Sequence, residues 1–154
     1  MIIRSAVLAT VCGLLAASSA NAATVLPADT IVQLTPSEEI SSKAVKQGDQ
    51  VHFQVANDVS ENGVVIIPRG AAVAAEVTWR TGKGIGGKSA KFEVTFRSVT
   101  VGGHAYSMKG KTRAEGKGNT VGALLGSMLI TGRSATMMPG DIVNGFTAEQ
   151  IPTG

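Results

Sequence analysis

The sequence has few of the residues that often stabilise small proteins. It contains one cysteine, Cys12, among 154 residues, and aromatic residues make up 4% of the chain. Cys12 lies in an apolar N-terminal stretch, so the chain that follows has no thiol with which to form a disulfide. A domain of about 130 residues can nevertheless bury enough apolar surface to fold without cross-links. We therefore expect one domain that depends on its hydrophobic core.

Charge of either sign is also sparse. Lys and Arg number 14 and Asp and Glu 11, which gives a net charge of +3. So mild an excess does not favour a nucleic-acid partner. The basic residues are concentrated in the middle of the chain, where they could meet an anionic surface or simply form a solvated face. They are Arg80, Lys83, Lys88, Lys91, Arg97, Lys109, Lys111, Arg113 and Lys117, interrupted only by Glu93 and Glu115.

The first 22 residues are typical of a secretory signal peptide. Arg4 provides a positive start, residues 5–17 are apolar and uncharged, and Ala20-Asn21-Ala22 has the small-x-small pattern that signal peptidase accepts. The apolar stretch is shorter than the roughly 20 residues that span a bilayer. We expect cleavage after Ala22, with Ala20 as the alternative, and a periplasmic or secreted domain at residues 23–154.

The remaining chain has the pattern of an all-β domain. Strand-length apolar runs lie between glycine or proline turn signals, and several of them alternate apolar and polar residues. We predict a small β-barrel or a β-sandwich. The predicted strands cover residues 30–34, 50–59, 63–67, 71–80, 91–101, 104–109 and 141–149.

The patterns of two strands also predict which side chains are buried. Residues 63–67 are continuously apolar, which indicates a strand that is buried on both faces. In residues 71–80, the alternation places Val73, Ala75, Val77 and Trp79 on the inner face and Arg80 on the outer face.

Residues 91–109 predict a bulged strand followed by a tight hairpin. The apolar alternation of the first strand slips by one residue near Arg97-Ser98, which indicates a β-bulge. Gly102-Gly103 is a two-residue hairpin loop. The pairing that follows sets Val101 opposite His104 and Val99 opposite Tyr106.

One short motif recurs three times, at residues 25–30, 66–71 and 137–142. Each copy has two apolar residues, a proline and then a turn-forming residue. Because proline ends a strand ladder and Gly or Asp tolerates a turn, we interpret the copies as corners that begin the next strand.

Residues 119–131 depart from the β pattern. The segment from Val121 to Ile130 is crowded with apolar residues and contains Gly122 and Gly126 at the spacing used in helix contacts. It is too short to span a bilayer. We predict a short, buried apolar helix or hairpin, with membrane contact or self-association through this segment as alternatives.

Residues 82–89 match the phosphate-binding loop pattern G-x4-G-K-S, with Lys88 and Ser89 as its last two residues. That loop works because a helix follows it and directs free N–H groups at the phosphates. Here the chain continues with the period of a strand, through Phe92, Val94 and Phe96. We therefore predict a flexible basic hairpin loop and no nucleotide ligand.

No arrangement of residues predicts an enzyme. His52 should lie on the polar face of its strand and His104 beside a hairpin turn, without the spacing of a metal site. The neighbouring carboxylates Glu38 and Glu39 cannot flank one bond, because adjacent side chains diverge on both helices and strands. We predict no catalytic residues, no metal and no cofactor.

The ordered motifs of the chain resemble a group of small uncharacterised exported bacterial proteins with the pattern LPAGT, ISS…GDxV and IPxG. The matching residues are Leu26-Pro-Ala-Asp-Thr, Ile40-Ser-Ser-Lys-Ala, Gly48-Asp-Gln-Val51, Val65-Ile-Ile-Pro-Arg-Gly70, the run from Ile130 to Gly140, and Phe146-Thr-Ala148. The sequence departs from the pattern at Asp29 and at Asp141-Ile142. More distantly, it is similar to the β-domain of TrbI-type channel proteins of conjugation and type IV secretion. The resemblance implies a β-barrel or β-sandwich located in the cell envelope.

The function expected from the sequence is that of a non-enzymatic envelope protein. It would bind an envelope protein or an anionic surface, or assemble with itself; the alternative is a carrier of a small molecule or lipid inside a barrel. The candidate contact with an anionic surface lies beside the glycine-rich loop and comprises Arg80, Lys83, Lys88 and Lys91.

We predict that the exported protein begins at Ala23, because the signal pattern places the peptidase site after Ala22. N-terminal sequencing of the protein after export from a bacterium should return Ala-Thr-Val-Leu. A chain that still begins at Met1, or a lipid attached to Cys12, would contradict the prediction.

Overall fold

The computed structural model describes residues 23–83, 88–116 and 134–153, and these residues form β-strands and no helix. The all-β prediction is confirmed. Residues 1–22 and the segment 119–131, for which we predicted a helix or hairpin, lie outside the described residues. The strands are β1 (Val25–Leu26), β2 (Ile31–Pro36), β3 (Ile40–Ser41), β4 (Gln50–Val55), β5 (Val59–Glu61), β6 (Val64–Ile67), β7 (Ala72–Thr81), β8 (Lys91–Val101), β9 (His104–Lys109), β10 (Lys111–Glu115), β11 (Thr136–Met137), β12 (Val143–Thr147) and β13 (Ile151–Pro152).

Seven strands form one sheet in the order β10-β8-β7-β4-β2-β12-β9, with antiparallel neighbours. The long strand β8 has two partners along one side: its first half pairs with β10 and its last four residues pair with β9. Strand β9 also pairs with β12 through its final residues. Three two-stranded ribbons, β1-β13, β3-β11 and β5-β6, accompany this sheet.

The core follows from the period-two pattern of the sheet strands. In β4, Val51, Phe53 and Val55 are buried while the intervening residues are exposed, as the sequence predicts. Phe53 meets Phe96 of β8 edge to face, with ring centroids 5.2 Å apart. This geometry is favourable for aromatic rings beyond the area that they bury.

The bulged strand and its hairpin are confirmed. In the β7–β8 ladder, Ala74 pairs with Ser98 while Ala75 pairs with Phe96, so Arg97 is the extra residue. The bulge lets Phe96 and Val99 both point inward, although they are three residues apart. In the loop, Gly102 and Gly103 both have positive φ, at 57° and 83°, as a type I′ hairpin turn requires. The predicted pairs Val101–His104 and Val99–Tyr106 are present.

Two strand predictions need correction. The predicted strand 50–59 is interrupted after Val55, and its last residue instead begins β5. The predicted strand 63–67 is buried only at its end, because Val64 and Val65 are 43% and 48% exposed. These two valines lie at the tip of the β5-β6 ribbon, beside a turn at Asn62 and Gly63, and the described part of the chain leaves them exposed.

The three repeated corners are turns, but the third differs from the other two. Each corner leads from a short strand into β2, β7 or β12. In the first two, the residue with positive φ is the second after proline, Asp29 or Gly70. In the third it is Gly140, directly after Pro139, and Asp141 donates its N–H to the Met138 carbonyl. The third copy is therefore shifted by one residue and has the signature of a type II turn.

Among the described residues, no helix offers the length and apolar character needed to cross a membrane.

We predict that Gly145→Val destabilises the fold by about 1–3 kcal/mol, because it adds atoms to a core that has no room for them. A Cβ at Gly145 would lie 2.9 Å from a methyl group of Leu34 and 2.9 Å from that of Met108. Urea unfolding measures the change. Ala105→Val, at an exposed position on β9, is the matched control and should alter the free energy of unfolding by less than about 0.5 kcal/mol. Equal effects of the two substitutions would show that Gly145 is not confined.

Candidate functional site

A second bulge decides which side chains form the surface at the end of β7. Val77 pairs with Val94 and Trp79 pairs with Glu93, so Thr78 is an extra residue in β7. The prediction that Trp79 points inward is therefore wrong. The extra residue reverses the alternation, and Trp79 is 36% exposed.

The same bulge also determines which residue of β8 lies opposite Arg80. Arg80 pairs with Phe92, which is fully buried. Its guanidinium donates from Nε and Nη2 to the backbone carbonyl of Ser42, at 2.9 and 2.6 Å. Arg80 is exposed, as predicted, but its guanidinium fastens the end of the sheet to the residue after β3.

Trp79 belongs to the first of two rows that cross the outer face of β7, β8 and β10. This row is Trp79, Glu93 and Arg113. The guanidinium carbon of Arg113 lies 4.8 Å from the centroid of the Trp79 ring, which is a cation–π distance. Arg113 Nη2 also donates to Glu93 at 2.9 Å, and Lys111 Nζ lies 3.5 Å from the same carboxylate.

This hydrogen bond from Arg113 holds the pKa of Glu93 below its usual value, and the positive charges of Lys111 and Arg113 act in the same direction. Partial burial of the carboxylate opposes the shift. Glu93 is therefore the anion that fixes Arg113 against Trp79 near neutral pH.

The second row is Thr81, Lys91 and Glu115, one step nearer the end of the strands. Lys91 Nζ lies 2.7 Å from Glu115 Oε1. Opposite charges directly across an antiparallel pair stabilise the ladder modestly. Arg113 and Glu115 both belong to β10. This strand therefore places one cation and one anion near Trp79.

An open cleft of about 510 Å³ lies over these two rows. Its lining has three cationic side chains and one anionic side chain. The hydroxyl oxygen of Ser89 is buried and has no hydrogen-bond partner among the described residues. The lining residues are Trp79, Thr81, Gly82, Lys88, Ser89, Lys91, Arg113 and Glu115.

The four basic residues predicted to contact an anionic surface fall into two pairs. Arg80 and Lys91 are engaged within the molecule, by Ser42 and Glu115. Lys83 and Lys88 are exposed, and neither forms an ion pair within residues 23–83, 88–116 and 134–153. Arg80 keeps its positive charge but directs it at the Ser42 carbonyl, so Lys83 and Lys88 are the predicted contact residues whose ammonium groups point at no described acid or carbonyl.

Two further residues of the basic stretch are paired with acids from other parts of the chain. Arg97 pairs with Glu76 at 2.8 Å, and Lys109 pairs with Asp29. Both acids lie outside residues 80–117 and come close only through the sheet. The cluster of positive charge is consequently weaker than its sequence density indicates.

Sequence reasoning missed Trp79, Ser89 and Arg113 as members of one site. The single tryptophan of the chain lies two residues before the start of the glycine-rich segment at Gly82, and this is a signal that could have marked the position. Arg113 could not have been assigned to it, because its approach to Trp79 depends on the pairing of β8 with β10.

The remaining titratable residues singled out in the sequence lie at exposed positions or in turns. No group of three or more His, Cys, Asp or Glu side chains in this part of the chain is arranged to hold a metal ion. His52 and His104 are both exposed, and Glu38 and Glu39 lie in the bend after β2. The strand predicted after the phosphate-loop motif is present, since β8 begins at Lys91.

No protein-family model matches the chain, and no curated protein matches it significantly. The resemblance to small exported proteins and to TrbI-type β-domains stays a prediction based on the motifs quoted for it.

We predict that the stability supplied by Glu93 disappears in acid. Because its pKa is lower in the folded protein than the roughly 4.3 of an unfolded chain, its contribution is present above that value and is lost as the pH falls through the folded pKa. Glu93→Gln should therefore lower the melting temperature at pH 7 and have a smaller effect as the pH falls below about 4. Melting curves of both proteins across this range test the prediction. A difference that is constant with pH would show that the carboxylate charge is not involved.

Proposed function

We propose that this chain is a non-enzymatic envelope protein. It attaches to an anionic surface through the end of β7 and the adjacent start of β8. One observation carries the proposal: the exposed Trp79 lines one cleft with Lys88, and neither Lys88 nor Lys83, four residues after Trp79, forms an ion pair with a described residue. Export to the envelope rests on the signal pattern of residues 1–22. Membrane lipids with anionic headgroups are the surface that this combination suits best.

The physical basis is the joint action of an aromatic ring and nearby cations. Tryptophan favours the boundary between water and apolar groups, because its large ring is apolar while its N–H is polar. A cation close to an anionic lipid surface contributes about 1 kcal/mol, and the attraction fades within a Debye length. Two lysines and one tryptophan would give weak, reversible attachment that depends on salt.

The alternative of a carrier has less support. We infer that β8, β7, β4, β2, β12 and β9 form a closed ring, since β9 pairs with both β12 and β8. Even eight strands enclose an interior just wide enough for side chains, and six enclose less. In this ring Leu34, Phe96 and Met108 crowd around Gly145, so the interior favours a packed core over a ligand chamber.

We predict that the exported protein sediments with vesicles rich in phosphatidylglycerol and not with vesicles of phosphatidylcholine alone. Lys83→Gln and Lys88→Gln should each reduce the partition coefficient roughly fivefold, which corresponds to about 1 kcal/mol. Raising the salt to 1 M should abolish the binding, because the Debye length falls to about 3 Å.

Arg69→Gln is the matched control for vesicle binding. Arg69 lies in the turn before β7, at the opposite end of that strand from Trp79, and is exposed. It should leave the partition nearly unchanged although it removes the same charge. Equal losses for Arg69 and Lys83, or binding that is indifferent to salt, would overturn the proposed contact.

A further inference from the structure

We propose that the cleft beside Trp79 is a binding site for a single phosphate group, such as that of a glycerophosphate headgroup. The inference rests on the proposed function and makes it more specific. It assigns recognition of the headgroup to Lys88 and Ser89, whereas Lys83 contributes only to the general attraction of the surface.

The cleft has the donors that a phosphate requires. Lys88 and Lys91 supply ammonium groups and Ser89 and Thr81 supply hydroxyls, all on the lining of one cavity. Charge-assisted hydrogen bonds to such groups are stronger than those between neutral partners. The net charge of the lining is positive, because Lys88, Lys91 and Arg113 outnumber Glu115.

The buried hydroxyl of Ser89 supports the phosphate site independently of the charged side chains on the lining. A buried polar atom without a hydrogen-bond partner is costly, so native proteins rarely leave one unexplained. Ser89 Oγ is such an atom among the described residues, and Ser89 lines the cleft. Rotation of the Ser89 side chain into the cleft would bring this hydroxyl to a phosphate oxygen, which would supply the missing acceptor.

Lys88 and Ser89 are also the last two residues of the phosphate-loop pattern, but the backbone gives them a different role. Residues 88–90 are irregular and β8 begins at Lys91, so no helix N-terminus follows the motif. A helix N-terminus therefore contributes nothing to the site, and the described donors on its lining are side chains. These few donors suit one phosphate rather than a triphosphate.

The carboxylate of Glu115 would compete with a bound phosphate for the ammonium group of Lys91. This carboxylate lines the cleft and binds Lys91 at 2.7 Å, where it occupies a donor that an incoming phosphate could use. Replacing Glu115 with Gln would remove the negative charge and release Lys91. Phosphate affinity should therefore increase in this variant, whereas a purely structural role would predict no gain.

The single tryptophan makes the site observable. Trp79 is the only tryptophan of the chain and lines the cleft, so its fluorescence reports occupancy directly. Titration of the exported protein with glycerol 3-phosphate should produce a saturable change, while glycerol at the same concentrations should produce none.

Three variants test the roles of the lining residues. Lys88→Gln should raise the Kd about tenfold, the scale expected for one charge-assisted hydrogen bond, and Ser89→Ala should also raise it. Glu115→Gln should lower the Kd.

Lys83→Gln is the matched control for phosphate binding. Lys83 lies two residues after Thr81 but does not line the cleft. Its substitution should leave the Kd for glycerol 3-phosphate within twofold of the parent value while still weakening the vesicle binding described above.

Three results would overturn the phosphate site: no saturable change with glycerol 3-phosphate, equal effects of Lys83→Gln and Lys88→Gln on its Kd, or weaker binding in Glu115→Gln. These results can be told apart from failure of the proposed function. Vesicle binding that persists without a response to glycerol 3-phosphate would refute the site alone. A response to glycerol 3-phosphate without vesicle binding would support the phosphate site and refute attachment to a lipid surface.

Discussion

The ladder between β7 and β8 is the constraint on which the rest of the molecule depends. Both strands are long, and their pairing has to absorb two extra residues, Arg97 in β8 and Thr78 in β7. Each bulge reverses the alternation of one strand. The first keeps Phe96 and Val99 on the inner face together, which preserves the core. The second moves Trp79 outward and so creates the surface on which the candidate site is built.

Ion pairs across neighbouring strands shape the electrostatics of the site. Glu93 binds Arg113, and Glu115 binds Lys91, so two of the cations near the cleft are already balanced. The exposed pair of Lys91 and Glu115 contributes little to folding, but both pairs determine which positive charges are available to a partner. The result is a surface with a small number of free cations beside one aromatic ring.

Much of the fold could be predicted from the sequence because its signals are local. Strand β8 and its hairpin were predicted with their boundaries, one bulge and their register, since a slip in the apolar pattern and a Gly-Gly pair mark both features. The candidate site was predicted only in part. Lys83 and Lys88 are available as expected, but Arg80 is bound to Ser42, and that contact joins residues 38 positions apart.

The sequence by itself determined the class of fold and most strand positions, including the strands on either side of the glycine-rich segment, because period-two alternation and turn residues act over a few residues. Only the tertiary structure decided that Trp79 faces outward and that Arg113 lies against it. The bulge at Thr78 leaves no break in the pattern Val73, Ala75, Val77, Trp79, so alternation alone extends the inner face one residue too far. Where a strand absorbs an extra residue depends on its partner, and the partner of β7 is fixed only when the sheet assembles.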